Sequence, residues 1–331
     1  MKPKGPKIIH DSQINLNVLR GLKIAIIGYG SQGCAQALNL RDSGFSPVIG
    51  LKIKSSSRRQ ARKDNFNVTT PAKAVTDAEV ISVMIPDHLH RELFENELGR
   101  VIKKGQTYIF AHALSVHFNL VKQSRGIDFA LVAPHGPGQM LRERFISGKG
   151  IPAFIAKTDM SSRKALKIAG AYAKAIGCSR AGLLVTSFAR EAIGDIFGEQ
   201  AVLCGGLAAL LKSGFDTLVR DGFPPQDAYV ECVYQLDMIV DLIKKYGIGG
   251  MYKRISTTAE YGSYQAEDKI INADSKKAMQ AMLKRIKSGK FTAELMDEYH
   301  GSFKKLFRYR NKKRLSTLDE MARYFNKTFN T

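Results

Sequence analysis

The run KIAIIGYGSQGCAQAL places Gly28, Gly30 and Gly33 in a GxGxxG arrangement directly after an apolar, β-rich segment and directly before a helix-forming one. Each glycine then has a physical task. Gly28 permits a tight turn, Gly30 lets the backbone approach a pyrophosphate, and Gly33 allows the helix to pack closely on its strand. The helix N-terminus adds N–H groups and the positive end of its dipole for the phosphates. A dinucleotide site follows. An NAD site usually carries an Asp or Glu about 20 residues beyond the first glycine, where it holds the ribose hydroxyls. Residues 44–63 read GFSPVIGLKIKSSSRRQARK and contain no acid. Nothing there would repel a 2′-phosphate, and Lys52, Ser55, Ser57 and Arg58 are available to bind one, so the expected cofactor is NADP(H).

A second chemistry is suggested by acids set in apolar helices. Asp195 and Glu199 stand four residues apart in GDIFGEQAVLCGGLAALL, and Glu231 and Gln235 share that spacing in YVECVYQLDMIVDLI. This spacing puts both side chains on one helix face, within reach of one cation. Acids among apolar residues are costly unless something positive compensates, and oxygen-only donors on facing helices suit Mg²⁺. The competing reading places such acids at solvent-facing or capping positions, and Asp237 with Asp241 are the example we expect to be solvated.

The elements that must carry these groups can be read from periodicity. From Lys23 onward short apolar runs alternate with helical stretches: Lys23–Gly28, a helix from about Gln32 to Asp42, then Ser46–Leu51. Further strands are expected at Val80–Ile85, Thr107–Ala111, Phe129–Ala133 and Ala153–Ala156, which together make a doubly wound parallel sheet of Rossmann type. After Gly182 the strand signal fades and helical patterns run over Phe188–Leu218, Gln226–Tyr246 and Asp274–Lys287. Two domains are therefore expected, residues 1–182 and 183–331. A chain of 331 residues with 44% hydrophobic content has material for two cores.

Several motifs occur in order along the chain: GYGSQG at 28–33, Pro86-Asp87, AHALSVHF at 111–118, APHGPG at 133–138, DIFGEQAVLCGG at 195–206 and ISTTAEYG at 255–262. Together they resemble ketol-acid reductoisomerase in its short form, from about Leu16 into the carboxy-terminal region. The resemblance implies a Rossmann domain followed by a knotted all-α domain, against the usual rule that folds avoid knots. It implies an enzyme of branched-chain amino-acid biosynthesis. Mg²⁺-dependent alkyl migration in a 2-acetolactate-type substrate would be followed by NADPH reduction to a 2,3-dihydroxy acid. Carried over by position, Asp195 and Glu199 bind metal, with Glu231 joining from a partner subunit and Gln235 in the fourth place. Ser256 holds the substrate carboxylate. His112, beside the nicotinamide, stands with His135 and Glu199 at catalytic positions. Gly28, Tyr29, Gly30, Ser31, Gln32, Gly33, Lys52, Ser55, Ser57, Arg58, Pro86, Asp87 and Gly138 contact the cofactor.

The chain also departs from the family pattern. His135 replaces the lysine of APKGPG, Gln235 replaces a glutamate, Ala111-His112-Ala113-Leu114 stands for AHGF, and Gln139 and Cys34 replace histidines. Gln235 removes one negative charge from the metal site, and His135 exchanges a permanent cation for a titratable base. Two alternatives therefore stay open: a reductase of 2-keto acids without the isomerase step, and a non-catalytic dinucleotide-binding or assembly protein.

Lys and Arg number 51 against 30 Asp and Glu, a formal charge of +21. The cations are spread along the chain with no zinc-finger or RRM signature, so nucleic acid is not the expected partner. Cys34, Cys178, Cys204 and Cys232 form no CxxC pair and read as reduced thiols. The amino terminus lacks an apolar signal region, and the longest uninterrupted apolar or glycine stretch, Ala201–Leu211, is too short to span a bilayer. The expectation is a cytoplasmic, soluble homo-oligomer acting on a small molecule.

Overall fold

The computed structural model describes residues 5–313 and 316–329. By its internal contacts the chain divides into two units, one ending at Gly194 and one beginning at Asp195.

The first unit is built on nine strands: β1 (Ile8–Ile9), β2 (Ile24–Ile27), β3 (Val48–Gly50), β4 (Val68–Thr69), β5 (Val80–Val83), β6 (Thr107–Phe110), β7 (Asp128–Pro134), β8 (Ala153–Lys157) and β9 (Leu183–Val185). They form one sheet in the order β1-β9-β8-β7-β6-β5-β2-β3-β4. The six strands from β4 to β7 are mutually parallel. The expected wholly parallel sheet is corrected beyond that point, because β8 runs antiparallel to β7 and β1 antiparallel to β9. Strand order reverses at β2, with β3 on one side and β5 on the other, and there the carboxyl ends of the strands open a crevice.

Strand β2 shows why this half folds as it does. All four of its residues are buried, as a strand covered on both faces requires. Ile24 and Ile26 join one apolar cluster, while Ala25 and Ile27 join the other. The following helix α1 (Ser31–Asp42) buries Gly33, Ala35, Ala37 and Leu40. Two more helices matter to the crevice. Helix α2 spans Ser57–Lys63, and α3 (Pro71–Thr76) starts on Thr70, whose side chain accepts from Lys73 N–H, with Pro71 in the first turn.

The second unit is helical in its described residues, from Gly205–Arg220 to Thr317–Phe329. Its own buried apolar set is small, including Phe215, Ala228, Met251, Ile286, Met296 and Phe325. Tyr229 stacks on Phe325 at 5.1 Å and 10°. Many large apolar side chains stay exposed, among them Leu203, Met238, Ile248 and Tyr261. One helical run, Phe188–Arg220 (33 residues), contains an 18-residue window of mean hydropathy 1.5, long and apolar enough by length and composition to cross a membrane. An uninterrupted apolar stretch does not reveal it, because an averaged hydropathy tolerates the occasional charged residue such as Lys212 or Asp216.

Candidate active site

The glycine-rich turn is a steric necessity at three points and an opening at a fourth. Gly28 has φ +105°, and a Cβ there would lie 2.6 Å from the Met84 carbonyl oxygen. A Cβ on Gly33 would lie 2.5 Å from the Gly28 carbonyl oxygen, and one on Gly138 only 2.1 Å from that of Ser31. The turn is thus pressed against the end of β5 and against the helix Gly138–Ile146. A Cβ on Gly30 would meet nothing within 4 Å. Gly30 is also the N-cap of α1, with no side chain capping the helix. Open space over uncapped N–H groups fits a pyrophosphate. Tyr29, buried between these glycines, donates to Asp64 Oδ2 at 2.8 Å and so ties the turn to the end of α2.

Beside the turn a cavity of about 310 Å³ is lined by Gly28, Leu51, Lys52, Lys54, Ser55, Ile85, Leu89, Leu93 and Glu97. Its mainly apolar wall with a polar rim suits an adenosine. The two cations expected to meet a 2′-phosphate are both engaged. Lys52 Nζ lies 2.9 Å from Glu92 Oε1 and 3.0 Å from Glu97 Oε1. Arg58 Nη1 donates to the carbonyls of Leu51 (2.8 Å) and Thr69 (3.2 Å), which braces the start of α2 against β4.

The carboxyl ends of β5 and β6 bring together a line of titratable groups. Asp87 follows Pro86 after β5, and its Oδ2 is 3.6 Å from His112 Nδ1. His112 Nε2 in turn lies 3.9 Å from Glu191 Oε2, which accepts the backbone N–H of Ala113 at 2.8 Å. Glu191 is only 3% exposed. Burial pushes Asp87 up, but the His112 hydrogen bond and the charges of His90 and His112 outweigh it, leaving the carboxyl below its ordinary value. A carboxylate on each side of one imidazole orients the ring.

His135 follows β7 on an exposed loop, its ring edge-on to Phe154 at 4.4 Å. That loop is anchored from below. Gln32 Nε2 donates to the Gly136 carbonyl (2.8 Å), and Gln36 Nε2 to Gln32 Oε1 (3.1 Å). Tyr172 donates to Gln36 Oε1 (2.8 Å) and shares a hydrogen bond with Ser82 Oγ (2.9 Å). Gln36, Tyr172 and Ser82 are all fully buried, so the network has little freedom to shift.

In the second unit Glu199 and Glu231 each sit in a π turn inserted into a helix, a distortion common at functional sites, with Asp195 before the first and Gln235 directly after the second. One spans Glu199–Leu203 and the other Val230–Tyr234. Gln235 Nε2 is 3.3 Å from Glu231 Oε2, so these two oxygen-bearing side chains do share a face. Glu199, Glu231 and Gln235 are exposed and Asp195 is half-buried. Among the described residues of one chain, no three His, Cys, Asp or Glu side chains converge as a metal site. Asp237 and Asp241 are exposed, as a solvated pair should be. Ser256 caps the helix Thr257–Ile270, its Oγ accepting Ala259 N–H at 3.2 Å.

Fold and crevice define a dinucleotide-dependent α/β oxidoreductase with a helical second unit. Residues 18–182 match the acetohydroxy acid isomeroreductase NADPH-binding domain, and residues 188–329 match the ketol-acid reductoisomerase C-terminal domain. The chain belongs to the ketol-acid reductoisomerase family and is an NADP-dependent oxidoreductase/isomerase. It is 42% identical over 292 residues, 88% of each chain, to ketol-acid reductoisomerase (NADP(+)) of Methanococcus maripaludis strain C5. It is 43% identical over 299 residues, 90% of each chain, to that of Mycobacterium ulcerans strain Agy99. A solved NADH-preferring ketol-acid reductoisomerase from an uncultured archean is similar with TM-score 0.93 and 36% identity, covering 97% of this chain and 98% of that one.

Sequence reasoning missed Glu191, Glu92, Glu97 and Tyr172. Glu191 could have been found as the first member of an i,i+4 series continued by Asp195 and Glu199. The partners of Lys52 lie 40 and 45 residues away, and no local spacing signals them.

Proposed function

We propose that this protein converts a 2-acetolactate-type acid into a 2,3-dihydroxy acid, using NADPH and Mg²⁺, in branched-chain amino-acid biosynthesis. The observation that supports it most is the retention of oxygen donors in pairs, with Glu231 and Gln235 side by side at 3.3 Å. Carboxylates and an amide oxygen are the donor set that Mg²⁺ selects. Bound by Asp195, Glu199, Glu231 and Gln235, the metal would supply Lewis-acid polarisation of the substrate's neighbouring hydroxyl and carbonyl oxygens. The chain's own residues do the rest. The turn at Gly28–Gly33 and the α1 N-terminus bind the pyrophosphate, Pro86 and Asp87 border the nicotinamide, and Ser256 Oγ, which still has a proton to donate, meets the substrate carboxylate. Asp87 and Glu191 fix the His112 ring beside the reacting carbon. Reduction adds one hydride from NADPH to the ketone carbon and one proton to its oxygen.

The test is NADPH consumption with 2-acetolactate and, separately, with the pre-isomerised 3-hydroxy-2-keto acid, each with and without Mg²⁺. We expect turnover of both with Mg²⁺. Absence of turnover with either would overturn the reading, and turnover of the isomerised acid alone would leave only a reductase.

The exposed apolar side chains of the helical unit support a homo-oligomer in which a second copy covers them and completes the metal site with its Glu231. The run Phe188–Arg220 carries Glu191, Asp195 and Glu199, which a bilayer would have to desolvate. Light scattering should show no stable monomer at micromolar concentration.

A further inference from the structure

The expected contacts to a 2′-phosphate rest on Lys52 and Arg58, and in the structure neither cation is uncommitted. Lys52 stands two residues past the end of β3, where dinucleotide folds read the ribose. Its ammonium is held by two carboxylates, Glu92 at 2.9 Å and Glu97 at 3.0 Å. One positive and two negative charges leave this cluster at −1. Glu97 and Lys52 both line the 310 Å³ cavity beside Gly28, so the cluster borders the adenosine space. Glu97 lies in a π turn over Leu93–Leu98, a local insertion that alters where the following side chains point. Arg58 is spent on the carbonyls of Leu51 and Thr69. That leaves Lys54 and Ser55 on the cavity wall.

We infer that the Lys52–Glu92–Glu97 cluster is the specificity determinant of this cofactor site: its two carboxylates hold Lys52 back from the 2′-phosphate and narrow the preference for NADPH over NADH. The acid missing from the end of the second strand is supplied instead from the segment after β5. A 2′-phosphate carries about −1.5 to −2 charge and meets a net negative cluster, whereas a 2′-hydroxyl can donate a hydrogen bond to the carboxylate. Neutralising both carboxylates changes the cluster by two charges, from −1 to +1, and at roughly 7 Å in a water-exposed rim screened by physiological salt this corresponds to about a three- to tenfold change in relative affinity. The inference rests on the dinucleotide-binding reading above and on no property of the metal site.

The experiment is binding of 2′,5′-ADP against 5′-AMP, and of NADPH against NADH, to the full-length protein without Mg²⁺ or substrate. The variants are Glu92→Gln/Glu97→Gln, Lys52→Met and their combination. Removing both carboxylates should raise the 2′,5′-ADP to 5′-AMP affinity ratio about three- to tenfold, with 5′-AMP affinity as the control for an intact pocket. Lys52→Met should lower the ratio more in that background than in the unmodified protein, because only a Lys52 released by the carboxylates reaches the 2′-phosphate, giving a non-additive cycle. An unchanged ratio in Glu92→Gln/Glu97→Gln, or additive effects of the two changes, would overturn the inference. Failure of the unmodified protein to bind any of the four ligands would overturn the reductoisomerase reading and this inference together, an outcome distinct from an unchanged ratio.

Discussion

Gly30→Ala separates the requirements of the fold from those of the ligand. Gly30 has φ −83° and ψ −161°, an extended conformation open to any L-residue. An added methyl meets no protein atom within 4 Å. Two small opposing terms act on stability: alanine restricts the unfolded chain and stabilises by about 0.4–1 kcal/mol, while alanine is a poorer helix N-cap than glycine by a similar amount. They should cancel to within roughly 0.5 kcal/mol, and the melting temperature should move by no more than about 2 °C. The ligand sees a different site. The methyl occupies the space through which the pyrophosphate reaches the α1 N–H groups, and overpacking a close contact costs about 1–3 kcal/mol, a 5- to 150-fold rise in Kd.

The assay is fluorescence titration with NADPH alongside thermal unfolding, with Gly138→Ala as the contrast. There the Cβ would fall 2.1 Å from Ser31 O, so the free protein itself must distort and lose stability. If Gly30→Ala bound NADPH within twofold of the unmodified protein at an unchanged melting temperature, the phosphates could not pass over Gly30 and the cradle would be misassigned.

Three further outcomes follow from the same geometry. Tyr172→Phe removes the donor to Gln36 Oε1 inside a fully buried network, which should cost about 2 kcal/mol and lower the unfolding midpoint in urea titration without changing the m-value. Burial holds His90 below its ordinary pKa, 6.5, so the unfolded chain takes up that proton first; the stability contribution is complete above pH 6.5 and lost as pH falls toward the folded value, and His90→Gln should flatten the urea midpoint over that window. Gln235→Glu sets a second carboxylate about where an amide now lies 3.3 Å from Glu231, so it should tighten Mg²⁺ in calorimetric titration and raise turnover of the acetolactate-type substrate more than that of the isomerised acid.

How far the sequence reveals this protein depends on the range of each interaction. The glycine turn, α1 and the core strands are legible because their determinants lie within a dozen residues: an apolar run buried on both faces, three glycines, then a helical period. Strand direction has no such signature. Nothing in AFIAK distinguishes β8, antiparallel to β7, from a parallel strand, and β1 and β4, of two residues each, are too short to show alternation. β9 escapes a periodicity reading because Leu183–Val185, three residues long, sits where helical patterns begin.

The site divides along the same line. Residue types at Asp195, Glu199, Glu231 and Gln235 could be read because i,i+4 spacing alone puts two side chains on one face, and the 3.3 Å approach of Gln235 to Glu231 shows that this inference needs no tertiary information. Glu191 obeys the same spacing yet differs in fate. It is buried because the Ala113 N–H, from the end of β6, satisfies a carboxylate that the apolar helix alone would expel. Lys52 and Arg58 show the converse. Their types alone offer two cations to a phosphate, and only the fold reveals that two glutamates and two backbone carbonyls already hold them. A charge in a sequence states what a residue offers, while the partners that reach it decide how much of that offer is left for a ligand.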